Sequence, residues 1–392
     1  MNTYVYGLFD LSFWQYVLVS FAFFMVSMMS ITLYLHRDQA HRAIDLHPVL
    51  RHFFRFWIWF NMSMHTDQWV AVHRKHHAMC EREGDPHSPV VFGLTRVLLE
   101  GAELYQAEAA KPDVVEKYSR GTPRDAIQRF YWRFNNWGIV AMIALNLILF
   151  GAPGIIIAGV QLIASPLCAA GIINGLAHHS GYRNFECDDA STNLTPLAGI
   201  IGGEELHNNH HAFPTSAKFS VRWWEFDIGW MYICIFRALG LCKVRRVAPK
   251  PQIEKSRQVD LETLQAVLVN RMHVMREYTQ KVTLPVLKTA HLAERGNAVL
   301  AKAKELLVVR PDKLDAAARS MLTSVLENNQ RLKTVHELRE QLIHIWEAAN
   351  VSNEHLIEEL KEWCIEAESS GIRALEKFSE RLRGYMLQPR VA

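Results

Sequence analysis

The pattern of hydrophobic and polar positions divides the chain near residue 248. Before that point apolar residues come in long unbroken runs, and after it they recur singly at helical spacing. No residue from Phe13 to Leu35 is charged, and a run of that length predicts a transmembrane helix. It is too long for the apolar core of a secretory signal peptide, and it lacks the basic segment and small-residue cleavage site that such a signal carries. Trp137 to Phe150 and Ile155 to Ile173 form two further apolar arms. The Gly and Pro of Gly151 to Gly154 supply a turn between them, so the arms read as a membrane hairpin. Val49 to Val72 is rich in aromatics but interrupted by Arg51, His52, Arg55 and His65, which predicts one amphipathic helix lying in the interface. Beyond Pro249, one stripe runs Leu261, Leu264, Leu268, Met272, Met275, a second runs Leu332, Val335, Leu338, Leu342, Ile345, and a third holds Leu356, Leu360 and Trp363. Such stripes belong to amphipathic helices packed together. The expected fold class is mainly α: a membrane-embedded helical domain over residues 1–248 with a cytosolic cap, then a cytosolic helical tail over 249–392.

Composition and charge matter through their placement. The formal net charge of the 392 residues is only +3. Arg37, Arg42, Arg51, Arg55 and the stretch Lys243 to Arg246 nevertheless flank apolar segments, as cytoplasmic anchors do. The six cysteines form no CxxC pair, which argues against a disulfide framework or a zinc ribbon and fits a reducing compartment.

Histidine carries the candidate chemistry. Fourteen of the 19 histidines fall between His36 and His211, mostly in clusters: His36 and His41; His73, His76 and His77; His178 and His179; His207, His210 and His211. In the two HxxHH boxes the second and third histidines fall within roughly 60° of the first around a helix axis, so three imidazoles are expected to converge. Residues five apart on a regular helix point roughly 140° apart, so His36 and His41 share a site only if the helix ends or distorts between them. Nine imidazoles exceed one first-row coordination sphere, which implies two metals, and a donor set without thiolate argues against structural zinc. Asn174, one turn before His178, is placed to orient a ligand or a metal-bound water. His47, His52, His65 and His87 stand outside the spacing and read as structural, with His87 holding the turn of "GDPHSP". His179, turned away by its adjacency to His178, reads as supporting or structural. Every box follows an apolar segment, so all share one face if the N-terminus lies outside and the histidines lie in the cytosol.

His36 and His41, the run "QWVAVHRKHH" with "DPHSP", Asn174 and His178 before "GYRNF", and "GEELHNNHHAFP" together resemble the integral-membrane fatty acyl desaturases of the stearoyl-CoA desaturase type, nearest to bacterial delta-9 desaturases. The likeness covers about residues 10–245. It implies two iron ions held by His36, His41, His73, His76, His77, His178, His207, His210 and His211, with Asn174 acting through a metal-bound water. It further implies a kinked tunnel for a long acyl chain of acyl-CoA or phospholipid, and O2 plus two electrons forming a cis double bond, at the delta-9 position. The chain has room for one span before the first box, where animal relatives have a pair. It carries no haem-binding cytochrome b5 motif, so a separate donor, a ferredoxin-type protein or a reductase, is expected. The bacterial inner membrane is the expected location, with the boxes and tail cytoplasmic. A membrane hydroxylase with the same metal centre is the rival enzyme. A metal transporter is the rival of another class, but it would place its ligands inside the spans. In the tail, "HELREQLIHIWEAAN" has a likeness to the helical end of some bacterial transposases, and no nucleic-acid function is assigned to it.

Overall fold

The computed structural model describes residues 7–254, 258–293, 303, 306–309, 314–348 and 351–387. Two compact units emerge: Met1–Arg183 with Asp189–Ala248, and Pro249–Ala392 with the short segment Asn184–Asp188. Helices dominate both, and the strands among the described residues are two or three residues long.

In the first unit, helix Phe13–Met29 starts at a capping box, with the Ser12 backbone N donating to Gln15 Oε1 at 2.8 Å. It runs straight into the π-helical segment Ser30–Ala40, the two forming an apolar helix of 28 residues. Helix Ala152–Pro166 likewise widens into Leu167–Ile173, within an apolar segment of 27 residues ending at His178. These two are long enough to cross a membrane. Helix Trp137–Phe150 rises only about 21 Å. It reaches spanning length together with Ala126–Arg133, to which it is bent by 75°. The expected hairpin thus has unequal arms, and its turn contracts to Gly151, whose φ of 62° ends one helix as it opens the next.

The single interfacial helix expected over Val49 to Val72 is instead two, Pro48–Met62 and Thr66–Met79. Residues 63–65 are held by the segment before Trp137. The Ser63 hydroxyl donates to Asn135 O at 3.0 Å, the His65 ring meets Asn135 Oδ1 at 2.9 Å, and that ring stacks on Trp132 at 3.8 Å. Ser63 takes a left-handed conformation there (φ 48°), which stops the first helix.

Around the inner ends of these helices, Met28, Leu33, Leu35, Phe54, Ile58 and Ile233 form the core. A two-stranded antiparallel ribbon, Ile44–Leu46 with Cys242–Val244, joins the chain after the first box to the end of the unit. Arg37 is fully buried and gathers the loops around the last box. Its guanidinium donates to Ala217 O at 2.8 Å and to Asp227 Oδ1 at 3.1 Å, and lies 3.8 Å over the Phe219 ring. Asp227 caps helix Ile228–Ala238 by accepting from Trp230 N. A Cβ on Gly203 (φ 93°) would meet Asp227 Oδ1 at 2.2 Å, so only glycine lets the chain pass this ion pair.

The second unit has its own core, including Leu264, Tyr278, Leu338, Leu360, Trp363 and Phe378. The stripes from Leu332 and from Leu356 are buried throughout. The first stripe is broken: Leu261 is exposed, and a new helix starts at Arg271, so Val267, Val274 and Tyr278 take the inner face. Two large polar side chains in the core are paired, Tyr278 Oη donating to Val335 O and Trp363 Nε1 to Leu338 O, both at 2.7 Å. Arg339, buried, donates to Glu186 Oε2 at 3.1 Å, and Phe185 meets the His273 ring edge-on at 5.2 Å.

Candidate metal centre

The distortion that His36 and His41 require is present. In a π-helix the backbone bonds run from i+5 to i, and His41 N donates to His36 O at 3.0 Å. Residues five apart therefore lie one turn apart, and the two rings are 4.9 Å from each other. His73, His76 and His77 lie on Thr66–Met79, and His207, His210 and His211 on the short helix His207–Ala212. His178 ends a tight turn, Leu176–His178, after the second apolar helix, so Asn174 and His178 are not on one regular helix face.

All nine histidines come together, but not box by box. His36, His41, His73, His77 and His210 form one cluster, and His76, His178, His207 and His211 form another. Each HxxHH box is divided between them. The expected convergence of three imidazoles overlooks that adjacent residues on a helix diverge by about 100°, which sends His76 and His77 to different sites, and likewise His210 and His211.

The ring nitrogens face inward at short range. His41 Nε2 is 2.8 Å from His73 Nε2, His210 Nε2 is 3.0 Å from both His36 Nε2 and His77 Nε2, and His178 Nε2 is 3.0 Å from His207 Nε2. Two nitrogens bound at about 2.1 Å to one ion lie roughly 3 Å apart. Four of the rings are oriented from behind by carboxylates. Glu204 Oε1 accepts from His36 Nδ1 at 2.7 Å, Asp85 from His76 Nδ1 at 3.0 Å, Glu81 from His178 Nδ1 at 3.1 Å, and Asp189 from His211 Nδ1 at 2.8 Å. A carboxylate only accepts, so the proton is on Nδ1 and the Nε2 lone pair points into the cluster.

Burial holds the imidazoles of His41, His73, His77, His207 and His210 well below the ordinary histidine range, and their neighbours add to it. They are neutral at pH 7, the form that ligates a metal. Burial alone would raise Asp85, Asp189 and Glu204, but the imidazoles beside them hold all three below the usual carboxylate range. The donor set fits two nitrogen-ligated ions. One departure from the sequence reading is Cys80, one turn after His76, whose Sγ lies 3.8 Å from His76 Nε2 at the edge of the four-histidine cluster.

A cavity of about 880 Å³ opens beside the clusters. Ile31, Leu98 and Ile163 contribute to its apolar wall, and His73, His87 and Asn174 are among its polar lining. Of the histidines read as structural, His47 caps helix Pro48–Met62, His65 stacks on Trp132, and His179 is exposed and bonded to Ser180. His87 lies in a turn yet is buried against His76. The four carboxylates were not anticipated. Glu81 and Asp85, four and eight residues after His77, and Glu204, three before His207, were the signal, whereas Asp189 has none.

The fold and site define a membrane-associated helical protein with two polyhistidine clusters. A family model described as fatty acid desaturase matches residues 12–231, and the chain belongs to the fatty acid desaturase family. It is an oxidoreductase of the fatty acyl desaturase class. It is 32% identical over 222 residues to the Delta-9 desaturase-like 1 protein of Arabidopsis thaliana, covering 55% of this chain and 72% of that one. It is 30% identical over 228 residues to the sn-1 stearoyl-lipid 9-desaturase of Anabaena variabilis, covering 57% and 81%. To the Acyl-CoA C20 Delta5-desaturase of Anemone leveillei it is 30% identical over 240 residues, covering 58% and 73%. A second model, described as transposase, matches residues 263–388.

Proposed function

We propose that the chain is an aerobic diiron desaturase that inserts a cis double bond into a long acyl chain. The supporting observation is the convergence of nine histidines into clusters of five and four beside a cavity with both apolar and polar lining. His36, His41, His73, His77 and His210 would hold one iron, and His76, His178, His207 and His211 the other, with Asn174 at the cavity side. When bound, the irons would supply O2 activation, which with two electrons and two protons converts a CH2–CH2 unit and O2 to CH=CH and two waters. The protein's own residues orient the rings through Glu204, Asp85, Glu81 and Asp189. They also keep the imidazoles neutral by burial, and Ile31, Leu98 and Ile163 offer the acyl chain an apolar wall.

The substrate is the acyl chain of a phospholipid or of acyl-CoA, since relatives carrying both kinds of name match to similar extents. Delta-9 is the favoured position, because several of the similar relatives carry it in their names. Electrons come from a separate ferredoxin-type protein or reductase. The histidines and the tail face the cytoplasm of a bacterial inner membrane, and residues 249–392 form a domain distinct from the desaturase domain of 1–248. Expression in a host lacking the activity, with mass spectrometry of membrane fatty acids and double-bond localisation, tests this reading. A new monounsaturated acid supports it. Hydroxylated acids would transfer the assignment to a hydroxylase, and an unchanged profile in a host supplying iron and a compatible donor would refute it.

A further inference from the structure

His87 has no part in either cluster, yet its situation is unusual. The residue is 3% exposed, and both of its ring nitrogens lack a hydrogen-bond partner among the described residues. Leaving a buried imidazole wholly unpaired is costly, so such a group calls for a partner outside the protein atoms. Its position is built. Asp85 Oδ1 accepts from His76 Nδ1 at 3.0 Å and from the His87 backbone N at 3.1 Å, and Pro86 stiffens the link between them. One carboxylate therefore fixes a cluster ligand and the His87 backbone together, with the two rings 4.5 Å apart. His87 and Asn174 both line the cavity, and the cluster that His87 adjoins through His76 is one histidine short of the other.

We propose that His87 is a positioning residue that hydrogen-bonds a small polar guest, of the size of water, hydroxide or azide, on the cavity side of the four-histidine cluster. It is not a tenth ligand, because its nitrogens fall outside the group of four whose donor atoms all lie within 4.8 Å of one another. A neutral imidazole suits the role, since one nitrogen donates and the other accepts. The inference rests on the diiron reading above.

The test is azide binding to the iron-loaded, oxidised full chain, followed by its charge-transfer absorption, with iron per chain measured in parallel. The variants are His87→Phe, which keeps the ring volume without a polar atom, and His87→Gln, which restores hydrogen bonding. The expected result is two irons per chain in every form, azide weakened by roughly tenfold or more in His87→Phe, and most of the affinity recovered in His87→Gln. Loss of about one iron in both variants would make His87 a ligand and overturn the proposal. Unchanged azide affinity in His87→Phe with both irons present would reduce it to a space-filling role. A wild-type chain that binds no iron would refute the diiron reading itself, and this inference with it.

Discussion

Glu204→Gln probes how each cluster is tuned from behind. Glu204 is buried, accepts from His36 Nδ1 and from Thr32 Oγ1, both at 2.7 Å, and touches no ligand of the four-histidine cluster. Glutamine has nearly the same shape and keeps an acceptor oxygen, so the substitution removes the charge and little else. Arg37, which also stabilises the Glu204 carboxylate, keeps its own partner Asp227, so the loops around the last box stay tied. A hydrogen bond to a charged group is worth about 1.5–3 kcal/mol. Losing such a partner of a metal-binding histidine altogether weakens metal binding by roughly 10–100-fold, or about 1.4–2.8 kcal/mol, which bounds the effect of removing the charge alone. The effect should fall on one ion of the two. Asp189→Asn, behind His211, should weaken the other.

The assay is iron competition against a chromophoric chelator with detergent-solubilised protein. The wild type should give two tight sites. Glu204→Gln should give one site unchanged and one weakened, and the Glu204→Gln, Asp189→Asn double variant should weaken both. Equal weakening of both sites by Glu204→Gln alone would refute the assignment of His36 to one cluster. No weakening at all would refute the idea that the negative charge behind His36 strengthens the ligand.

Three further outcomes follow from the same geometry. His76→Ala and His77→Ala, one residue apart, should each abolish unsaturation but strip iron from different clusters, whereas His52→Ala should do neither; metal analysis with chelator competition on each variant checks this. For the metal-free protein, burial depresses the histidines named above below their unfolded value near 6.5, so the unfolded chain takes up more protons below that pH. Stability is then intact above about pH 6.5 and falls below it, by up to about 1.4 kcal/mol per pH unit for each such histidine, and a melting temperature no lower at about pH 5.5 than at about pH 7.5 would contradict it. A chain truncated after Lys250 should still bind two irons, as measured by metal analysis, although Glu186 then loses Arg339 and Phe185 loses His273.

What the sequence revealed depended on whether the signal was local. The apolar run from Phe13 and the nine clustered histidines stand out because hydropathy and spacing are properties of neighbouring residues. The break at Ser63 was hidden, since it is imposed by Asn135 and Trp132 far along the chain. Asp189 lies 22 residues before His211, and no spacing rule joins them. His87 was read as a turn residue and does occupy a turn. Only the fold puts its ring against His76. The bounds of the helix Trp137–Phe150, by contrast, were legible, because Gly151 is a local stop signal.

The division of each HxxHH box explains why it contains an adjacent pair. A His at i with one at i+4 shares a face and joins one cluster, as His73 and His77 do, and as His207 and His211 do in the other cluster. The remaining member, His76 or His210, is turned about 100° from its neighbour and crosses to the opposite cluster. Each box therefore gives two ligands to one cluster and one to the other, and the two boxes do so in opposite senses. The His77 and His211 rings stack at 4.5 Å where the clusters meet. The spacing between the sites is thus fixed by the geometry of helices Thr66–Met79 and His207–Ala212, and rigid elements hold such a constellation more closely than loops can. The π-helical end of the first span completes the set, because it lets the five-residue spacing of His36 and His41 bring both rings into the same cluster from one helix end.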